Sequence, residues 1–189
     1  MPSFSRARRD TLGHDGLNPG GRHSLGEARG RNVAISSKPA GVRAVRAADA
    51  DAWARMRARL WPDADVAELA REANDFVAGG HATIVAAAFV AEDGDAIPVG
   101  FVEIAVRAFS DGCDSMPVPH VEGWYVEPSA RGCGVGRRLM AAAEAWARAR
   151  GFVELASDTE LHNDASRHAH AACGFEEVDR LIKFRKVLR

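Results

Sequence analysis

The chain has 189 residues, 47% apolar and 27% charged, which gives a single domain room for a buried core. Its net charge of −1 hides a split, because residues 1–41 carry seven basic and three acidic side chains while the rest carries 18 basic and 23 acidic. An acidic body argues against nucleic acid as the partner and suits a cationic one.

Three scattered cysteines rule out a disulfide framework or a zinc site and point to a reduced, cytoplasmic compartment. The longest apolar run, residues 82–91, is about half of what a bilayer requires, so no membrane span is expected.

Residues 1–41, rich in Gly, Arg, Ser and Pro and free of apolar periodicity, read as a disordered basic extension to a domain at 42–189. Alternation at Val42-Arg43-Ala44-Val45-Arg46 predicts a strand. Asp49 is placed to cap a helix over 50–60, with Trp53, Met56 and Leu60 on its apolar face. Asp63 or Asp65 starts a second helix over 66–77, closed by Gly79-Gly80. Residues 83–91 and 98–106 read as a hairpin turning at Glu92-Asp93-Gly94-Asp95, and a polar loop over 110–119 follows.

The next stretch carries the chemistry. An apolar strand over 121–126 stops at Glu127-Pro128, Arg131-Gly132-Cys133-Gly134-Val135-Gly136 breaks the chain with glycines, and a helix begins at Arg137. Strand, glycine loop and helix start in succession make a cradle for an anion, since first-turn N–H groups have no intrahelical partner and glycines let the ligand approach the backbone. A pyrophosphate is the natural occupant. Beyond Gly151 a strand is expected over 152–156, then a short helix capped by Asn163 or Asp164 and stopped by Gly174, then a last strand over 177–187. The order β-α-α-β-β-β-α-β-α-β implies an α/β fold with a mixed sheet and helices on both faces.

That order, with Arg131, Gly134 and Gly136 forming Arg-x-x-Gly-x-Gly after the fourth strand, resembles the GCN5-related N-acetyltransferase superfamily, as do Asn163 and Gly174-Phe175. Further segments resemble the aminoglycoside 6′-N-acetyltransferases within it. These are Leu60-Trp61-Pro62, Asp111-Gly112-Cys113-Asp114-Ser115, Glu122-Gly123, Ala156-Ser157-Asp158-Thr159, Gly174-Phe175-Glu176-Glu177 and Phe184-Arg185-Lys186.

The resemblance implies a fold whose central strands splay apart, acetyl-CoA as donor, the 6′-amine of an aminoglycoside as acceptor, no metal, and a homodimer. It places the pantetheine arm and thioester along Trp124, Tyr125 and Val126, with the backbone N–H groups of Trp124 and Val126 polarising the carbonyl. It places the pyrophosphate on Arg131, Gly132, Cys133, Gly134, Val135, Gly136 and Arg137, and Asn163 on the pantetheine. Trp61, Phe109 and Asp179 match positions that line the acceptor pocket. Phe109 and Phe184 stand where the family often has tyrosine, which keeps the aromatic face and loses the hydroxyl.

A protonated amine must lose a proton before it attacks, so a base near the carbonyl is needed. Glu122, on the carbonyl-binding strand, is the first candidate and Asp158, at the end of the neighbouring strand, the second. Both also suit a polycation as pairing partners. Cys133 lacks a nearby His and is no nucleophile. No tyrosine lies in the short helix to protonate the thiolate, which leaves His170 or a water. Another amine as acceptor, or a non-catalytic acyl-CoA-binding domain, are the competing readings.

Overall fold

Alternating apolar side chains draw the long strands into the middle of one sheet. β1 (Val42–Ala44), β2 (Val85–Glu92), β3 (Pro98–Arg107), β4 (Val118–Val126) and β5 (Ala156–Ser157) lie side by side in that order. All neighbours are antiparallel except the parallel pair β4–β5. The computed structural model describes residues 41–80 and 84–188, so the expected N-terminal extension, Gly41 apart, and Thr83 of the second strand lie outside the described residues.

Helices cover both faces. α1 (Ala50–Leu60) and α2 (Val66–Val77) bury Trp53, Met56 and Ala73 against Val90, Phe101 and Tyr125. α3 (Val135–Arg148) buries Leu139, Met140 and Ala143 against Ala91, Val102, Ile104 and Val121 on the opposite face. α4 (Asp164–Ala172) follows β5. Asp65 caps α2 by accepting from the N–H groups of Ala67 and Glu68.

Asp49 does not cap α1. It is the last residue of a short 3-10 turn, where it accepts the Arg46 N–H at 2.7 Å and pairs with the Arg43 guanidinium. Its carboxyl is held below the usual range chiefly by that guanidinium.

Two strands differ from expectation. The strand expected over 152–156 is reduced to Ala156–Ser157, and Val153 is 86% exposed. The last strand, expected over 177–187, does not form, and Leu181, Ile182, Phe184 and Val187 lie exposed. A strand needs a neighbour to take its N–H and C=O groups, and none of the described strands pairs with that segment.

Candidate active site

The site originates in a fault in β4. β3 and β4 pair Glu103 with Gly123 and then Ile104 with Val121, so Glu122 is an extra, bulged residue. Unbroken alternation would put Val121 and Gly123 on one face. Instead Val121 packs in the α3-side core, whereas a Cβ on Gly123 would sit 2.9 Å from Trp61 Cη2, 3.1 Å from Phe101 Cε2 and 3.2 Å from Glu103 Cγ.

On the other edge the pairing stops at the same place. β5 meets β4 only at His120↔Ala156 and Val121↔Ser157, and no pair forms past them. Glu122 and Asp158 are the first residues past the last pair, one on each side of the opening.

Four charged or titratable side chains converge there. Arg107, at the end of β3, donates from Nε and Nη2 to the two Glu122 oxygens, both at 2.7 Å. Its Nη1 lies 3.7 Å from Asp158 Oδ2. His120 is 1% exposed, with Nδ1 3.7 Å from Glu122 Oε1 and Nε2 3.5 Å from Asp158 Oδ2. Burial pushes its basicity down, the Arg107 charge pushes the same way, and the carboxylates of Asp158 and Glu122 oppose them.

The structure therefore joins the two predicted carboxylates and adds Arg107 and His120, which sequence reasoning passed over. A signal for His120 was present: two residues before Glu122 on a strand, it shares that residue's face.

Trp61 stands beside this cluster across Gly123, half-buried, with the Arg57 guanidinium 5.3 Å from its ring. Phe109 follows Arg107 by two residues and is 64% exposed. Asp179 is not brought to the cluster. It lies in the exposed segment after α4, and its Oδ1 accepts the N–H of its own neighbour Arg180. The reason is the missing last strand, which would have carried it along the sheet.

Glu103 points inward. It is 1% exposed, with its Oε2 3.1 Å from Arg57 Nε, and burial pushes its carboxyl up to about 7 despite the Arg57 charge.

The glycine loop turns as expected. Gly132 and Gly134 take φ of 75° and 74°, values that side chains resist, and Gly134 is the residue before α3. No side chain caps α3, so its first N–H groups are left for an anion. Val135 is buried, and Cys133 is exposed and free.

The arginines brace this loop. Arg131 Nε donates to the Val126 carbonyl at 2.9 Å, Arg138 to the Cys133 carbonyl at 3.2 Å, and Arg137 to the Ala172 carbonyl at the end of α4 at 3.2 Å. A Cβ on Gly136 would fall 3.0 Å from Trp124 Cζ2, so the start of α3 rests on the indole of the strand below. The Trp124 Nε1 is buried with no hydrogen-bond partner.

Tyr125 turns its ring into the α1-side core and its hydroxyl donates to Glu127, so a ligand in the opening reaches its backbone alone. Asn163 caps α4 through Oδ1, which accepts the Ser166 N–H at 3.0 Å and leaves the amide NH₂ for another partner. His170 sits between the rings of Trp124 and Phe175, with Nε2 2.8 Å from the Ser157 hydroxyl.

Comparison with known proteins identifies the family. The model of the acetyltransferase (GNAT) family matches residues 48–175. An aminoglycoside N(6′)-acetyltransferase type 1 of Klebsiella aerogenes is 47% identical over 148 residues, 78% of this chain and 96% of its own. One from Stenotrophomonas maltophilia is 45% identical over 157 residues, 82% of this chain and 97% of its own.

Among solved structures, AAC(6′)-Iy in complex with the bisubstrate analog CoA-S-monomethyl-acetylneamine superposes with a TM-score of 0.70 at 34% identity, covering 78% of this chain and 98% of that one. An uncapped glycine-loop helix start, a strand pair that opens beside it and two carboxylates at the opening place the chain, with these relatives, in the acetyltransferase (GNAT) family.

Proposed function

We propose that the chain transfers the acetyl group of acetyl-CoA to the 6′-amino group of an aminoglycoside by direct attack in a ternary complex, and so confers resistance to the drug. One observation carries the reading: Glu122, on the strand that leads into the glycine loop, and Asp158, just after β5, stand across from each other where the β4–β5 pairing ends. An anion cradle explains a coenzyme. Carboxylates at the adjoining opening explain a polycationic acceptor.

Each residue then has a task. Gly132 to Arg137 offer N–H groups to the pyrophosphate, and the Asn163 amide and the backbone of Trp124, Tyr125 and Val126 hold the pantetheine arm. N–H groups of Trp124 and Val126 turned into the opening polarise the thioester carbonyl. Glu122 takes the ammonium proton through lone pairs that Arg107 leaves free, and Arg107 fixes the carboxylate's orientation. Asp158, 69% exposed at the mouth of the opening, adds negative charge that attracts the polycation, and Trp61 and Phe109 supply apolar faces for the sugar rings. His170, held by Ser157 beside Trp124, is placed to return a proton to the departing thiolate.

The chain works as a homodimer, supported by the apolar side chains left exposed after α4. It works in the cytoplasm, supported by three cysteines that are all free. No described helix is long and apolar enough to cross a membrane.

The test is purified protein, acetyl-CoA and a panel of aminoglycosides. Free thiol should appear with compounds that carry a 6′-amine and not with their 6′-hydroxyl counterparts. Thiol release with some other amine, and none with any 6′-amino compound, would overturn the acceptor assignment.

A further inference from the structure

His120 is the one nearly fully buried titratable group that lies against both carboxylates of the site, and amine acetylation as proposed gives it no task. A surface histidine would exchange protons with water. This one is 1% exposed, and its Nδ1 is buried with no hydrogen-bond partner. Its two nitrogens are divided between the two sides of the opening, Nδ1 facing Glu122 Oε1 at 3.7 Å and Nε2 facing Asp158 Oδ2 at 3.5 Å. The exposures run in series: the Glu122 side chain is 13% exposed, that of His120 2% and that of Asp158 69%. A group shielded in the cleft is thus linked through a buried amphoteric ring to a group in water.

We infer that His120 is a proton relay that carries the proton taken by Glu122 from the acceptor ammonium outward to Asp158 and the solvent. The inference rests on the amine-acetylation reading above. A bound acceptor covers Glu122, so the base needs an exit that does not cross the substrate. The ammonium N–H bond breaks as a Glu122 O–H bond forms. The Glu122 proton passes to the lone pair of Nδ1, the Nε2 proton passes to Asp158, and Asp158 releases it to water. One proton enters the chain of groups and one leaves it, and the amine is left neutral.

Each gap must close by about half an ångström to reach hydrogen-bond length. Between turnovers Glu122 exchanges with water in the open cleft and the ring returns to its first tautomer. A neutral imidazole is the form this requires, since only that form has a donor on one nitrogen and an acceptor on the other. Burial favours that form most and the Arg107 charge from β3 adds to it, against the carboxylates of Asp158 beyond β5 and Glu122 on its own strand.

Glu122 is the group in direct reach of the acceptor ammonium, and Asp158 stands on the solvent side of the ring. His120 acts through them and is a positioning residue in that sense. Its test must move something that a purely structural role would not.

Wild type, His120→Gln and His120→Phe are compared for kcat and KM between pH 6 and pH 9, on whichever amine the wild type acetylates. Both variants should lose about 10- to 100-fold in kcat below pH 7, with KM for acetyl-CoA unchanged. The loss should shrink as pH rises and the free amine becomes abundant. A loss of equal size at every pH, or no loss, overturns the relay.

Imidazole ¹⁵N spectra of the wild type supply a readout that needs neither turnover nor a variant at position 120. His120 should be neutral at pH 7 with its proton on Nε2, and Glu122→Gln and Asp158→Asn should each shift its signals. A ring insensitive to both substitutions overturns the relay even if the enzyme is active. An enzyme inactive on every aminoglycoside whose His120 still responds to both leaves the relay standing and removes only the acceptor assignment.

Discussion

Gly123 and Glu103 face each other across β3 and β4, and together they set the floor of the proposed acceptor side. Any side chain on Gly123 would meet Trp61, Phe101 and Glu103 at once, so the glycine is what lets the indole lie flush against the strand. Glu103 beneath it is wholly buried, paired with Arg57, which also donates to the Leu69 carbonyl and to Glu72.

Such a carboxyl has a cost that depends on pH. Its folded-state pKa is raised from 4.5 to about 7 by burial. Below about pH 4.5 both folded and unfolded chains hold the proton, and between about pH 4.5 and 7 only the folded chain does. Above that range neither does. Stability from this group therefore falls as pH rises through that window. The stability of the wild type relative to Glu103→Gln should decline by on the order of 2–3 kcal/mol from pH 4.5 to 7.5. Urea midpoints at those two pH values measure it, and a constant difference would show that Glu103 is already ionised in the fold.

At the scale of the element, β4 and the loop after it were legible from sequence, and the reason is local. Apolar alternation, the Glu127-Pro128 stop and glycines at fixed spacing are encoded within some fifteen neighbouring residues, and local codes survive folding. The bulge was not legible, because it is a property of two strands: only the register of β3 against β4 reveals that Glu122 is the extra residue. For the same reason Arg107 was missed, since nothing within its own strand marks it as the partner of Glu122, fifteen residues away.

The loop makes a prediction of its own. Gly134 combines φ of 74° with a position at the start of an uncapped helix. Gly134→Asp adds a left-handed side chain, strained by about 1–2 kcal/mol, and a negative charge in the proposed pyrophosphate cradle. Acetyl-CoA affinity measured by calorimetry should fall more than about tenfold, while Gly134→Ala, which adds the strain alone, falls less. Equal affinities for the two variants would place the phosphates elsewhere.

For the molecule as a whole, the sequence marked the last segment as a strand, and the single chain does not make one. The pattern itself is real: Val178, Leu181, Ile182, Phe184, Val187 and Leu188 supply apolar side chains, and Phe184 alone is 92% exposed. Periodicity reports that a segment has a face to bury, without saying which chain covers it. Single apolar residues at a surface are ordinary, whereas six within eleven residues of one segment form the kind of patch that marks an interface.

The proposed homodimer accounts for it, with the segment of one copy covered by the other and its unpaired backbone groups satisfied there. The wild type should then sediment at twice its 20.3 kDa across the micromolar range. Ile182→Asp with Phe184→Asp, which places two charges in the patch, should sediment as a monomer. Both side chains are exposed in the single chain, 80% and 92%, so neither substitution disturbs a packed core. The helical and strand signals of the variant should therefore match those of the wild type by circular dichroism. A wild type that stays monomeric at tens of micromolar, or a double variant that remains a dimer, would mean that this segment is not the interface.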